Sequence, residues 1–117
     1  MTPAAIKPVI STDALQAIDV RVDTIESVTD IAGSRKLVKL SVDFGDHTGQ
    51  ILAGLKQERA EPAEITGRQA LFVVNLAPKT IAGELSEGML FDIGFADGIT
   101  PVLSVPEAAV PNGTRTG

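Results

Sequence analysis

The steadiest alternation in the chain runs over residues 37–44, where Val38, Leu40, Val42 and Phe44 are apolar and Lys39, Ser41 and Asp43 are polar. A period of two sends one set of side chains to a buried face and the other to a solvated one, so the segment predicts a half-buried β-strand. Upstream, Val20, Val22, Ile25 and Val28 stand among Arg21, Asp23, Thr24, Glu26 and Ser27. They predict a strand whose alternation slips by one residue near Thr24, the mark of a bulge. Residues 45–49 read as a turn that folds 50–53 back antiparallel as a hairpin. Residues 55–65 are charged and form a connector, with Pro62 suited to open a short helical turn over 62–65. Buried strands follow over 69–74 and 89–95, and a last one over 100–105 carries Pro101 at its edge. Ahead of all these, Thr12 is placed to cap one helical turn.

Between two of those strands lies the most informative stretch, residues 75–90, NLAPKTIAGELSEGML. Leu71, Phe72, Val73 and Val74 stop at Asn75, and Pro78, Gly83, Ser86 and Gly88 break the chain before Met89 and Leu90 resume an apolar run. A shaped loop mounted on two buried strands is where proteins commonly place binding residues. Five or six short strands, one small connector and Gly-rich turns predict an all-β barrel or sandwich. The five-stranded OB barrel fits best, with its long, kinked first strand and a helix-bearing connector between the third and fourth. The expected division is an N-terminal arm and short helix over 1–16, then the barrel with its C-terminal tail over 17–117.

Composition narrows the function. A chain of 117 residues has room for one core, and 44% apolar with 21% charged residues is ordinary for a folded domain. Four Phe and no Trp or Tyr leave few platforms for stacked bases, so any nucleic acid is expected to be read by shape. The absence of Cys excludes disulfides and thiolate sites. Ten basic against fifteen acidic side chains give a net charge of −5, so phosphate binding needs a local basic patch. With no long apolar run and no leader-like start, the chain reads as soluble and cytoplasmic, without a membrane partner. His47 stands alone in a turn. Asp19, Asp23, Glu26 and Asp43 have the spacing of charged outer strand faces, which outweighs a cation site. No catalytic residues, metal or cofactor are expected.

The blocks IDVRV at 18–22, SRKLVKLSVDFG at 34–45, GRQALFVVNLAPKTIAG at 67–83, SEGML at 86–90 and VPNGT at 110–114 resemble the tRNA-binding domain family. That family includes free homodimeric tRNA-binding proteins, the C-terminal domain of bacterial methionyl-tRNA synthetases, a module of the phenylalanyl synthetase beta subunit, and CsaA-type export chaperones. The resemblance implies an OB fold that recognises the outside corner of tRNA and dimerises through its N- and C-terminal extensions. The family's loop maps onto Asn75, Leu76, Ala77, Pro78, Lys79 and Thr80, and its second element onto Ser86, Glu87, Gly88 and Met89. Two departures remove positive potential: neutral Thr80 follows Lys79, and Glu84 stands where many relatives are apolar.

The expected nucleic-acid-binding residues are Arg35, Lys36, Lys39, Asn75, Pro78, Lys79, Ser86 and Met89. The four cations supply phosphate contacts, Asn75 and Ser86 hydrogen bonds to sugar or base edges, and Met89 an apolar contact to an unstacked base. The expected partner is tRNA, bound without catalysis by a homodimer. Two alternatives stand beside it: a CsaA-like chaperone that holds unfolded polypeptide, and a docking module for an aminoacyl-tRNA synthetase.

Overall fold

In the computed structural model, which describes residues 3–117, the chain forms strands β1 (Val20–Asp30), β2 (Val38–Asp43), β3 (Thr48–Ala53), β4 (Gln69–Val73), β5 (Lys79–Ile81), β6 (Glu84–Ser86), β7 (Met89–Leu90) and β8 (Thr114–Arg115). One helix, α1 (Thr12–Gln16), precedes them. Six strands form one antiparallel sheet, five of them in the order β3-β2-β1-β4-β7 and the sixth, β8, paired with β1 beside that path. This is the OB-type barrel the pattern predicted.

The long first strand serves three partners. β4 takes one edge over Val20–Thr24, and the other edge is shared between β2, from Thr24 onward, and the C-terminal β8 at Arg21 and Val22. A register shift between Ile25 and Ser27 leaves Glu26 as the extra residue, so the bulge lies two residues beyond the predicted slip. The predicted 45–49 turn joins β2 and β3 in register from Val38↔Ala53 to Asp43↔Thr48. The far seam, between β3 and the segment entering β7, is closed by single bonds. Glu87 N donates to Gln50 O at 2.9 Å, and Leu52 N donates to Ser86 Oγ at 3.1 Å.

The core inside the barrel is aliphatic, built on Ile25, Leu40, Val42, Ile51, Ile65 and Leu90, with Phe72 meeting Phe44 edge-to-face at 6.4 Å. The connector carries short 3₁₀ turns at Leu55–Gln57 and Pro62–Ile65, and Leu55 and Ile65 plug into the core.

Four sequence expectations change. Ser11, not Thr12, caps α1, its Oγ accepting from Ala14 N at 3.1 Å. The predicted 89–95 strand stops at Leu90. In place of a 100–105 strand there is one bridge between Ile93 and Val102. The tight turn at 94–99 occupies Gly94 O and Phe95 O, so the pairing cannot extend past Ile93 on that side, and Pro101 contributes no donor. Finally, residues 75–90 are not an irregular loop, because β5 and β6 form a small hairpin of their own. Of the predicted 1–16 arm, residues 1 and 2 lie outside the described residues, and the remainder is exposed.

The C-terminal tail covers a buried carboxylate. Asp23 is fully buried, its Oδ1 accepts from Gly113 N at 2.9 Å, and its Oδ2 has no partner. Burial pushes this carboxyl above its ordinary 3.8, against the opposing pull of the Gly113 N–H. The folded state therefore keeps the proton where the unfolded chain has lost it. The stability contributed by the neutral form is present below pH 3.8 and is lost as pH climbs through the raised folded value. Replacing Asp23 with Asn should remove that decline. In urea denaturation across pH, the wild type should lose stability relative to Asp23→Asn as pH rises from about 4 upward. A difference independent of pH would show that Asp23 is ionised in both states.

Candidate nucleic-acid interface

The candidate interface lies on the β1–β2 connection, the outer face of β2 and β3, and the β5–β6 hairpin. Residues opposite one another in the barrel strands form cross-strand rows on its outer surface. Ser27, Ser41 and Gln50 make one row, and Thr29, Lys39 and Leu52 the next. Ser86 then bonds Leu52 N, and Ser86 pairs with Lys79 in the hairpin. Lys39 and Lys79 thus sit at the two ends of a run of four partnered positions.

The hairpin lies against the barrel through Gln50, whose Nε2 donates to Leu85 O at 2.8 Å and to Glu84 Oε2 at 3.2 Å. Glu84 also meets Lys39, with Nζ and Oε1 3.5 Å apart. The hairpin turns through Ala82 and Gly83, both at positive φ (53° and 78°). That is the backbone of a tight two-residue hairpin turn, whose twist matches the flanking strands.

The eight predicted residues have three kinds of surroundings. Arg35, Lys36 and Lys79 are exposed and enter no ion pair among the described residues, whereas Lys39 is half-buried and paired with Glu84. Exposed Pro78 leads into β5. Met89 is 45% exposed and shares a cleft of about 610 Å³ with Lys36, Leu52, Phe95 and Ile99. The connection bearing Arg35 and Lys36 is held by Lys56, which pairs with Asp30 and donates to Ile31 O at 3.1 Å and Ser34 O at 2.7 Å.

Asn75 and Ser86, by contrast, are spent on the fold. Asn75 Nδ2 donates to Ala17 O at 2.8 Å and its Oδ1 accepts from Asp19 N at 2.9 Å, joining the end of β4 to the start of β1. Ser86 is buried at 5% exposure, accepts from Leu52 N and donates to Gly88 O at 3.2 Å. These two side chains position the loop.

Sequence reasoning missed the polar groove beside this patch. Ser27, Thr29, Lys39, Ser41, Thr48, Gly49, Gln50 and Glu87 line a shallow hollow of about 330 Å³. The polar half of the β2 alternation was the available signal, and it lacked only the knowledge of which neighbours stand beside it. The cleft holding Met89 also contains Glu58 and Asp92, both pushed above their usual range by burial, Glu58 further by the Asp92 charge. Elsewhere, Asp19 is held below its ordinary value by the hydrogen bonds from Arg21, 3.0 and 2.9 Å long. Among the described residues, no group of three or more His, Asp or Glu side chains could hold a metal ion, and no helix is long and apolar enough to cross a membrane.

The model of a putative tRNA binding domain matches residues 20–115. The chain is 44% identical over 92 residues to a methionine–tRNA ligase of Chlorobium chlorochromatii, an alignment covering 79% of this chain and 13% of that one. It thus spans about an eighth of the length of such relatives. Among solved structures it is similar to a MetRS-related protein from Pyrococcus horikoshii, with TM-score 0.85, 31% identity and coverage of 95% of this chain and all of that one. It is also similar to chaperone CsaA from Bacillus anthracis, with TM-score 0.80, 27% identity and coverage of 94% and 100%.

Proposed function

The chain belongs to the tRNA-binding domain family, and from that premise we propose that it is a non-catalytic, structure-specific tRNA-binding protein of the cytoplasm that receives the outside corner of tRNA. The observation that carries this reading is a set of exposed cations with no ion pair among the described residues, Lys79 on a hairpin fastened to the barrel and Arg35 and Lys36 on the β1–β2 connection, on a chain of net charge −5. A rigidly mounted local patch attracts phosphate where the molecule as a whole repels it. Contacts of this number give weak, salt-sensitive binding, and a homodimer would double them. Exposed Ile6 and Val9 on the N-terminal arm favour such a dimer, since apolar side chains 98% open to water gain from a partner.

The test is a titration of total tRNA in a salt series, with the wild type and with Lys79→Glu. Wild-type affinity should fall steeply with salt. The variant should bind about tenfold or more weakly, with the log–log salt slope reduced by about 0.7–0.9 for one phosphate contact. Salt-independent binding, or equal binding by both proteins, would reject the hairpin as an RNA site.

A second reading, a peptide-holding chaperone, is favoured by the cleft where Met89, Phe95 and Ile99 offer exposed apolar surface beside two carboxyls. Suppression of aggregation of a denatured client, without tRNA binding, would promote it over the first.

A further inference from the structure

Resting on the RNA-binding reading, we propose that Glu84 is an internal competitor of the nucleic acid, which occupies Lys39 and thereby limits how tightly RNA binds. Three strands meet at this carboxylate. Lys39 reaches it from β2 at 3.5 Å, Gln50 reaches it from β3 at 3.2 Å, and Glu84 itself opens β6. The arrangement sets the hairpin's one acid against the one cation that lines the hydroxyl-bearing groove of Ser27, Thr29, Ser41 and Thr48.

That groove offers the hydroxyls of Ser27, Thr29 and Ser41 to a sugar–phosphate chain, yet its charge is unfavourable. Lys39 is neutralised by Glu84, Glu87 lines the same hollow, and Thr48 Oγ1 donates to Glu26 Oε1 at 3.2 Å. A phosphate entering here must displace one carboxylate from Lys39 and then tolerate that carboxylate nearby. The Lys39–Glu84 pair is part-exposed, with side chains 31% and 38% accessible, and ion pairs of this kind are weak. The contact is therefore exchangeable, and it acts as a brake on binding without closing the site.

The experiment is a double-mutant cycle of Glu84→Gln and Lys39→Gln, read by tRNA titration between about 50 and 200 mM salt. Glutamine at 84 keeps a polar group against Gln50 while removing the charge. Glu84→Gln should bind tRNA about threefold to tenfold more tightly than wild type, with the salt slope steeper by about 0.7–0.9 as Lys39 gains a phosphate. Lys39→Gln alone should change affinity by less than about twofold, because the lysine is already occupied, and in the Glu84→Gln background it should abolish the gain. Thermal melts of the four proteins show whether the hairpin stays in place. A gain that survives in the double variant would mean that Glu84 repels phosphate generally, and would overturn the competition with Lys39. Wild-type binding with no gain in Glu84→Gln would overturn this inference and leave the RNA site standing. Failure of all four proteins to bind tRNA at low salt would overturn both.

Discussion

Gly113→Ala is expected to lower folding stability by about 2–5 kcal/mol, the sum of a backbone penalty and a lost hydrogen bond to a buried acid. Gly113 sits at φ 87°, in the left-handed region, and a Cβ there would lie 2.9 Å from the carbonyl oxygen of Phe44. The left-handed conformation alone costs a residue with a Cβ about 1–2 kcal/mol. Relief by shifting the tail would pull the Gly113 N–H away from Val22 O and Asp23 Oδ1, both 2.9 Å distant. Asp23 would then be a buried carboxyl with neither oxygen bonded, which adds about 1–3 kcal/mol. The urea midpoint should fall with little change in the slope of the transition, since the barrel still unfolds as one unit. A loss below about 0.5 kcal/mol, the size of an ordinary surface change, would show that the tail does not hold the acid.

Removal of residues 1–10 is expected to convert the proposed homodimer into a monomer. The deletion leaves Ser11 to cap α1 but takes away Ile6, Val9 and Ile10, which are 98%, 98% and 62% exposed. Close to the root of the arm, Leu15, Ile18 and Phe91 line an open cleft of about 760 Å³ between α1 and the barrel. Apolar arms beside apolar clefts suit reciprocal exchange across a two-fold axis. Sedimentation equilibrium should give twice 12.2 kDa for the full chain and about once that for the shortened one. A shortened protein that remains dimeric would assign the interface to the barrel, and a full chain that is monomeric would reject the dimer.

The barrel was legible because its strands obey a simple rule. The outward and inward sets of β2, the slip in β1 and the 45–49 turn all follow from single-chain periodicity, and each has its counterpart in the sheet. The hairpin inside 75–90 was hidden because its strands are only three residues long and Ala82 holds a positive φ where Asn or Asp usually announces the turn. The C-terminal strand was hidden because two residues carry no period, and their partner on β1 lies more than ninety positions away.

For the candidate interface, charge and the resemblance pointed to Arg35, Lys36, Lys39 and Lys79, of which the structure leaves Arg35, Lys36 and Lys79 exposed and pairs Lys39 with Glu84. Asn75 and Ser86 were singled out as polar loop residues, and their bonds within the fold could not be read from the sequence. A polar residue at a loop reads the same in sequence whether it faces a ligand or, as here, replaces a missing backbone bond. Glu84 was visible as a lost apolar position, but its pairing with Lys39 emerges only when β6 is laid against β2 and β3.

The shared edge of β1 bears on how the protein is made. β1 is synthesised well before its last partner, since part of its edge, at Arg21 and Val22, waits for Thr114 and Arg115, more than ninety positions later. On the ribosome, β2 and β3 can zip onto β1 early, because their pairings close short loops. Asp23 meanwhile stays in water, ionised and without its Gly113 donor, and its burial belongs to the last step. The nascent barrel should therefore remain loose and open to chaperones until residues 113–115 have emerged, and a ribosome stalled before Gly113 should present a protease-sensitive chain, while one stalled far enough beyond Arg115 to free that segment should present a resistant one.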